Sequence, residues 1–244
     1  MHFEILVEDQ SGKKMLDEIL PRIIGAAHTF RVLPYKGIGK IPKGMKPGSD
    51  ASKRILLDQL PRLLQGHGKT FAGYGPNYHA AVVVVCDLDR KCFHDFRQEL
   101  LGVLTAIHPR PEARFCLAIE EGEAWLLGDR DAIRAAYPNA KLAVLDDYTQ
   151  DSICGTWEVL ADAIHPGGSG ALIVAGWQAS GAAKSAWATT ISPRMNVEGN
   201  DSPSFRYFRS KMRELAGQNL MVAERQNAVG LLQKAPAIHR KRTT

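Results

Sequence analysis

Residues 80–89 read AAVVVVCDLD, an apolar run rich in valine that ends in two aspartates one residue apart. Four successive valines without polar alternation are typical of a strand buried on both faces, as in a parallel sheet covered by helices. In such sheets, ligands bind beyond the carboxyl ends of the strands, where Asp87 and Asp89 would lie. The stretch therefore predicts an α/β fold with polar chemistry at this edge of the sheet.

The two aspartates allow two interpretations from the residues alone. Closely placed carboxylates repel each other unless a cation joins them, and hard oxygen ligands are those that Mg²⁺ or Mn²⁺ prefer. Aspartate is also common as the N-cap of a helix and as a solvated loop charge. By itself, the pair favours neither interpretation.

Acidic residues also follow two further predicted strands. Residues 3–7 are mostly apolar and are followed directly by Glu8, and the apolar run 115–119 is followed by EEGEAWLLGD. Acids favour helix N-termini, so capping explains each one separately. Capping does not explain their concentration at three strand ends in a chain whose net charge is +5. We therefore predict one metal site at the sheet edge, formed by Glu8, Asp87 and Asp89.

The order of these motifs resembles the TOPRIM domain, in which an N-terminal strand ends in Glu and a later strand ends in Asp-x-Asp. The match is closer to the DUF4276 family of TOPRIM-like proteins, whose signature is similar to R-E-x-E-A-W-x-L-A-D. Residues 120–129 read EEGEAWLLGD, with Glu120 in place of Arg and Gly128 in place of Ala. The family's late S-x-S-F-x-x-F segment is similar to SPSFRYF at residues 202–208. The resemblance extends over most of the chain.

The resemblance implies a metal-dependent nuclease that hydrolyses phosphodiester bonds of DNA, tRNA or other RNA. Related nucleases of the overcoming-lysogenization-defect (OLD) family carry their own ATPase. Here two alanines separate Gly from Lys in GWQASGAAKS, residues 176–185, which excludes the spacing of a P-loop. The resemblance therefore implies a separately encoded ATPase partner and an effector role in bacterial anti-phage defence. The expected ligands of one or two Mg²⁺ or Mn²⁺ ions are Glu8, Asp87, Asp89 and one or both of Glu121 and Glu123.

Two residues receive roles in catalysis beyond metal binding. Glu8 occupies the acid/base position of TOPRIM domains, so the resemblance implies that it also moves a proton. OLD-like nucleases place a lysine near the metal, and Lys184 resembles it in position. Such a lysine would stabilise charge on the phosphate in the transition state. The alternative for Lys184 is an ordinary lysine on a helix surface.

Residues 35–54 form a Gly- and Pro-rich segment with no acid before Asp50. Its composition predicts a flexible loop between a strand at 29–33 and a helix that starts near residue 49 or 50. Its lysines would hold the phosphates of a nucleic acid over the acidic site. A solvated surface loop explains the charge equally well. The predicted nucleic-acid-binding residues are Lys36, Lys40, Lys43 and Lys46.

Length and composition fit a globular enzyme, because 244 residues with 45% hydrophobic side chains can bury a sizeable core. No apolar stretch is long enough to span a bilayer, and the N-terminus lacks the layout of a signal peptide, so we expect a cytoplasmic protein. We predict a TOPRIM-like catalytic core over 1–135 with a four-strand, mostly parallel sheet. A helical C-terminal extension over 136–244 would pack on it and end in a basic tail, 234–244.

Two other function classes remain open from the sequence. The first is a non-catalytic TOPRIM-like subunit that binds nucleic acid or an ATPase and regulates it. The second is a nucleotidyl transferase or phosphatase that acts on small phosphates. The intact set of acids favours the enzyme, and the long basic segment favours a polymeric substrate over a small one. An oligomer is compatible with each class.

Overall fold

A computed structural model of the protein describes residues 1–43, 50–75 and 77–217. Its strands are β1 (His2–Val7), β2 (Thr29–Pro34), β3 (Ala80–Asp87) and β4 (Glu112–Ala118). Its α-helices are α1 (Gln10–Ile24), α2 (Leu56–Gly73), α3 (Phe93–Thr105), α4 (Glu123–Leu127), α5 (Arg130–Ala136), α6 (Leu142–Asp147), α7 (Thr156–Ile164), α8 (Gly168–Ala175), α9 (Trp177–Ile191) and α10 (Pro203–Leu215). Two short 3₁₀ helices cover Ala51–Lys53 and Ser192–Arg194.

The four strands form one parallel sheet in the order β2-β1-β3-β4. Parallel neighbours require crossover connections, and α1, α2 and α3 supply them between consecutive strands. The predicted α/β fold with a mostly parallel four-strand sheet and a helical C-terminal part is confirmed, and all four strands are parallel. Val7 pairs with Val85, so β1 and β3 end almost level. This brings Glu8, which follows β1, and Asp87, the last residue of β3, to the same edge.

Helices bury both faces of the sheet, which explains the unbroken valine run of β3. Val83 and Val85 pack on the side of α1 together with residues of the C-terminal helices. Val82 and Val84 face the opposite side and pack with residues of α2 and α3. Since neither face meets water, both sets of side chains can be apolar.

The two segments that carry the family resemblance pack against each other. Trp125 is fully buried, and its Nε1 donates to Oγ of Ser204 at 2.9 Å. Its ring stacks on Phe208 with centroids 4.9 Å apart and meets the edge of Phe205 at 5.7 Å. Trp125, Phe205, Phe208 and Met212 are all buried. The contact fixes α4, and with it Glu123, against the C-terminal part of the chain.

The helix predicted to start near residue 49 or 50 begins instead at Leu56. A single 3₁₀ turn precedes it, and Arg54 then takes a left-handed conformation with φ 52°. An α-helix cannot continue through a left-handed residue, which separates the two elements. The guanidinium of Arg54 donates to the carbonyl of Pro34 at 2.5 Å and ties the turn to the end of β2.

Two parts of the sequence predictions lie outside the described residues: Lys46 of the basic segment, and the basic tail, 234–244. In the ranges that the structure does describe, no helix combines the length and apolarity needed to cross a membrane.

Candidate active site at the carboxyl edge of the sheet

Glu8 and Asp87 meet where β1 and β3 end. The backbone N–H of Asp87 donates to Oε2 of Glu8 at 3.3 Å. A small cavity of about 30 Å³ lies beside them, lined also by Asp9 and Glu123. It has room for about two water molecules, so a larger ligand must approach from outside it. The structure therefore places two of the three predicted metal ligands side by side.

Asp9 begins α1 and brings a further carboxylate to this edge. Its Oδ1 accepts from the backbone N–H of Gly12 at 2.7 Å, and its Oδ2 accepts from Oγ of Ser11 at 2.6 Å. These bonds make Asp9 the N-cap of the helix. A Cβ at Gly12 would lie 2.6 Å from Cγ2 of Val7. Glycine thus allows the first turn of α1 to approach the end of β1.

Asp89, the third predicted ligand, lies further from the cavity. It adopts a left-handed conformation with φ 50°, and its carboxylate pairs with Nζ of Lys91 at 2.8 Å. Its charge still acts on Glu8, whose ionisation it opposes. Asp89 is therefore within electrostatic reach of the cluster, but its carboxylate already has a cationic partner.

Lys184 reaches the cluster from α9. Its Nζ lies 3.2 Å from Oε2 of Glu123 and 3.4 Å from Oε1 of Glu121. The side chain is only 18% exposed, although it lies on a helix. It also lies 5.9 Å from the centroid of the Trp157 ring. The structure thus brings Lys184, Glu121 and Glu123 together as an ion-paired group beside Asp87.

The carboxylates of the cluster hold protons more tightly than usual. Burial, with repulsion from Asp89 and Asp9, raises the pKa of Glu8 to about 7. Burial and the charges of Glu8 and Glu123 raise the pKa of Asp87 well above its ordinary value. Ionising both groups is therefore costly unless a positive charge arrives between them.

The ion-paired group of Lys184, Glu121 and Glu123 shows how a positive charge favours ionisation of buried carboxylates. Burial raises the pKa of Glu121 to about 7 and also raises the pKa of Glu123, while Lys184 opposes both shifts. Burial alone would lower the pKa of Lys184, but Glu123, Glu121 and Asp87 together raise it. Lys184 is therefore a permanent cation near neutral pH, with three carboxylates in its field.

Glu120 has a structural task that its place in the EEGE motif does not reveal. It adopts a left-handed conformation with φ 60°, and its carboxylate accepts from the backbone N–H groups of Cys154, Gly155 and Thr156 and from the hydroxyl of Thr156. Burial disfavours its ionisation, but these hydrogen bonds outweigh burial and lower its pKa. Glu120 thus caps α7 from another element and fixes Trp157 near Lys184.

The described part of the basic segment starts at the same edge. The backbone N–H of Tyr35 donates to the carbonyl of Val7 at 2.9 Å, and that of Gly37 donates to the carbonyl of Glu8 at 3.1 Å. Gly37 has φ 104°, which glycine adopts without strain. Three of the predicted phosphate-binding residues are exposed and form no ion pair with another described residue: Lys36, Lys40 and Lys43.

Three residues of the site were missed as contributors by sequence reasoning: Asp9, Glu120 and Trp157. Asp9 directly follows Glu8, so its position was visible, but its N-cap pattern gave no sign of a role in the cluster. Glu120 was noted only as a departure from the family signature. No local signal marks Trp157, because its partner Lys184 comes from a distant helix.

Comparison of the chain with protein-family models, with curated proteins and with solved structures finds no match. The class is therefore defined by the fold and the cluster alone. It is a parallel α/β protein in which half-buried carboxylates, the buried Glu123 and the half-buried Lys184 meet at the carboxyl edge of the sheet.

The donor set at this edge fits a hard divalent cation in its chemistry. Neither Glu8 nor Asp87 forms an ion pair with a described lysine or arginine, and burial and repulsion raise the pKa of both. Across the described ranges, no three carboxylate, imidazole or thiol groups are arranged to hold a metal ion. Mg²⁺ usually takes one or two protein carboxylates and completes its shell with water and substrate phosphate.

We expect Glu8→Gln to stabilise the metal-free protein near neutral pH. The pKa of Glu8 is raised from 4.5 to about 7, so folding favours its protonated form. Stability is lost as the pH rises from the pKa of Glu8 in the unfolded chain through its pKa in the folded protein. A neutral glutamine avoids this loss. The gain in free energy of unfolding should be about 1–3 kcal/mol at about pH 8 and smaller at about pH 5.5.

Urea unfolding at both pH values measures this gain. Glu18→Gln is the matched control, since Glu18 is exposed on α1 and its carboxylate has no described partner. A gain that is equal at both pH values would show that the charge of Glu8 is not its source.

Proposed function

We propose that the protein is a metal-dependent phosphodiesterase that cleaves nucleic acid. The observation that carries the proposal is the meeting of Glu8 and Asp87 at the carboxyl edge of a parallel sheet, where neither carboxylate is within ion-pair distance of a described lysine or arginine. The order of acidic motifs that resembles TOPRIM nucleases supports the same activity.

The residues of the cluster divide into two groups in this proposal. Glu8 and Asp87 would hold Mg²⁺ or Mn²⁺, with Asp89 as a further ligand if it leaves Lys91. Glu121 and Glu123 are held by Lys184 and would join only if that lysine moves. A bound divalent cation would polarise the scissile phosphate and lower the pKa of an attacking water.

The protein's own groups supply proton transfer and charge. In the metal-free protein the pKa of Glu8 is about 7, in the range that suits a general base. A bound cation would lower this pKa, so Glu8 would move a proton only when it is not itself a ligand. Lys184 places a permanent positive charge next to Asp87, where it can stabilise negative charge on a phosphate. The exposed lysines of the basic segment would hold the flanking phosphates.

A second candidate is a non-catalytic subunit that binds nucleic acid or an ATPase. One observation favours it: the described residues contain no preassembled metal site. The two candidates share the nucleic-acid partner and differ in turnover. An ATPase partner, a cytoplasmic location and a role in anti-phage defence belong to the same proposal and rest on the family resemblance.

A cleavage assay separates the candidates. The purified full chain is incubated with plasmid DNA, linear DNA and tRNA, with Mg²⁺ or Mn²⁺ and with EDTA. We expect fragments of at least one substrate with a divalent cation and none with EDTA. Binding without fragments under every condition would support the non-catalytic subunit, and cleavage that survives EDTA would contradict the metal-dependent mechanism.

A further inference from the structure

A groove runs along α2, away from the face that packs in the core. The core face of α2 presents leucines at 56, 57, 60 and 64. A second stripe at 59, 62, 63, 66, 67 and 70 follows helical spacing and lines a groove of about 450 Å³ together with Tyr35 and Arg54. Tyr35 and Arg54 are the two ends of the basic segment, but none of its described phosphate-binding candidates, Lys36, Lys40 and Lys43, lines this surface.

The groove is positively charged at the end near the acidic site. Arg54 lies 5.8 Å from the centroid of the Tyr35 ring, and Arg62 is exposed with no ion pair to another described residue. The buried carboxylate of Glu4, whose charge acts on Tyr35 and His67 of the groove, receives two hydrogen bonds from Arg31 at 2.9 and 2.7 Å. Since Arg31 neutralises Glu4, the arginines give the groove a net positive charge.

Aromatic rings continue the stripe at the other end. The rings of His67 and Phe71 have centroids 5.5 Å apart, and those of Phe71 and Tyr78 are 6.3 Å apart. Tyr74 lies 4.6 Å from Tyr78. Tyr74 is 61% exposed and Tyr78 39% exposed, so their rings are open to a ligand. Exposed aromatic rings in a row beside a basic groove are the usual platform for single-stranded nucleic acid.

We propose that this α2 groove binds a single-stranded segment of the nucleic-acid substrate. Arg54 and Arg62 would contact its phosphates, and Tyr74 and Tyr78 would stack on its bases. A duplex is a poorer fit, because its bases already stack on each other and cannot lie on protein rings. The inference deepens the proposed function and rests on it for the identity of the polyanion.

The position of the groove links it to the acidic site. The backbone N–H of Leu56, the first residue of α2, donates to the carbonyl of Gly37, whose own N–H donates to the carbonyl of Glu8. From this end, α2 extends by roughly 27 Å toward the opposite edge of the sheet. A strand in the groove would thus lead away from the carboxylates, over a length suited to the short end of the ~4–16 nucleotides seen in such sites.

Fluorescence anisotropy tests the groove without any need for cleavage. The full chain in EDTA is titrated into a labelled single strand of mixed sequence and into the same sequence as a duplex. We expect tighter binding of the single strand. Arg62→Ala should weaken binding of the single strand. It should also reduce the slope of log binding constant against log salt concentration by about 0.7, the value for one phosphate contact on a single strand. Tyr78→Ala should weaken binding by about fivefold to a hundredfold with no change of slope.

Matched controls lie on α10. Arg206→Ala removes an exposed arginine, and Tyr207→Ala removes a tyrosine that is 39% exposed, like Tyr78. Both should bind like the wild type, and unfolding midpoints of all variants should agree. The inference is overturned if either Arg62→Ala or Tyr78→Ala binds like the controls, or if the duplex binds more tightly than the single strand.

The outcomes for the groove and for the proposed function can be told apart. Groove-dependent binding by a protein that never cleaves supports the groove and contradicts the nuclease. Metal-dependent cleavage, together with single-strand binding that neither Arg62→Ala nor Tyr78→Ala changes, supports the nuclease and contradicts the proposed role of the groove. If the rings instead serve a protein partner, Tyr78→Ala leaves strand binding intact, which also overturns the inference.

Discussion

Asp87→Asn is expected to reduce metal-dependent cleavage by about a thousandfold while the metal-free protein stays at least as stable as the wild type. Asp87 is half-buried next to Glu8, and burial of its carboxylate with repulsion from Glu8 and Glu123 raises its pKa well above the ordinary value. Losing several kcal/mol of charge stabilisation in the transition state corresponds to roughly this factor in rate. Asparagine has the same shape but no charge, so the repulsion from Glu8 and Glu123 is relieved rather than increased.

Cleavage and stability must be measured together, because lost cleavage with retained stability distinguishes a role in catalysis from unfolding. Asp95→Asn is the matched control, because Asp95 is on α3 with a side chain 75% exposed. It should leave both cleavage and the urea midpoint unchanged. Full cleavage by Asp87→Asn would contradict the proposed role of Asp87, and a large loss of stability would mean that the loss of cleavage reports unfolding instead.

The sheet and its acidic edge could be predicted because both depend on short-range patterns. The valines of β3 show burial on both faces through the absence of alternation. Parallel strands end at one edge, so acids that follow separate strands tend to meet, as Glu8 and Asp87 do. The wrong start of α2 has a local cause too, since nothing in the composition of 49–55 marks Arg54 as left-handed.

The partners of the acids could not be predicted from such patterns. Lys184 meets Glu121 and Glu123 only because α9 packs across α1 and near α4. Both sequence interpretations of Lys184 describe part of this arrangement: the residue is on a helix, but its side chain turns into the cluster. Likewise, the carboxylate of Glu120 caps α7 more than thirty positions later in the chain. These contacts depend on tertiary packing, which propensity and periodicity do not encode.

Lys184→Met is expected to cost the metal-free protein about 3–5 kcal/mol of unfolding free energy at about pH 8, since removing one partner leaves buried charge uncompensated. Glu123 is almost fully buried and has Lys184 as its ion-pair partner. Without the lysine, the raised pKa values of Glu121 and Glu123 rise further. Carboxyl groups with raised pKa values oppose folding increasingly as pH climbs from about 4.5 through those values, so the loss should be smaller at about pH 5.5.

Two further variants make the origin of this loss specific. Lys14→Met, at an exposed position of α1 with no described ion pair, should change stability little at either pH. The double variant Lys184→Met with Glu123→Gln should recover much of the lost stability at the higher pH, because the most buried charge is gone. Urea unfolding of all variants at both pH values gives the comparison. If the loss of stability is independent of pH and Glu123→Gln does not rescue it, Lys184 stabilises the protein by packing. The proposed charge interaction of Lys184 with the carboxylates beside Asp87 would then be contradicted.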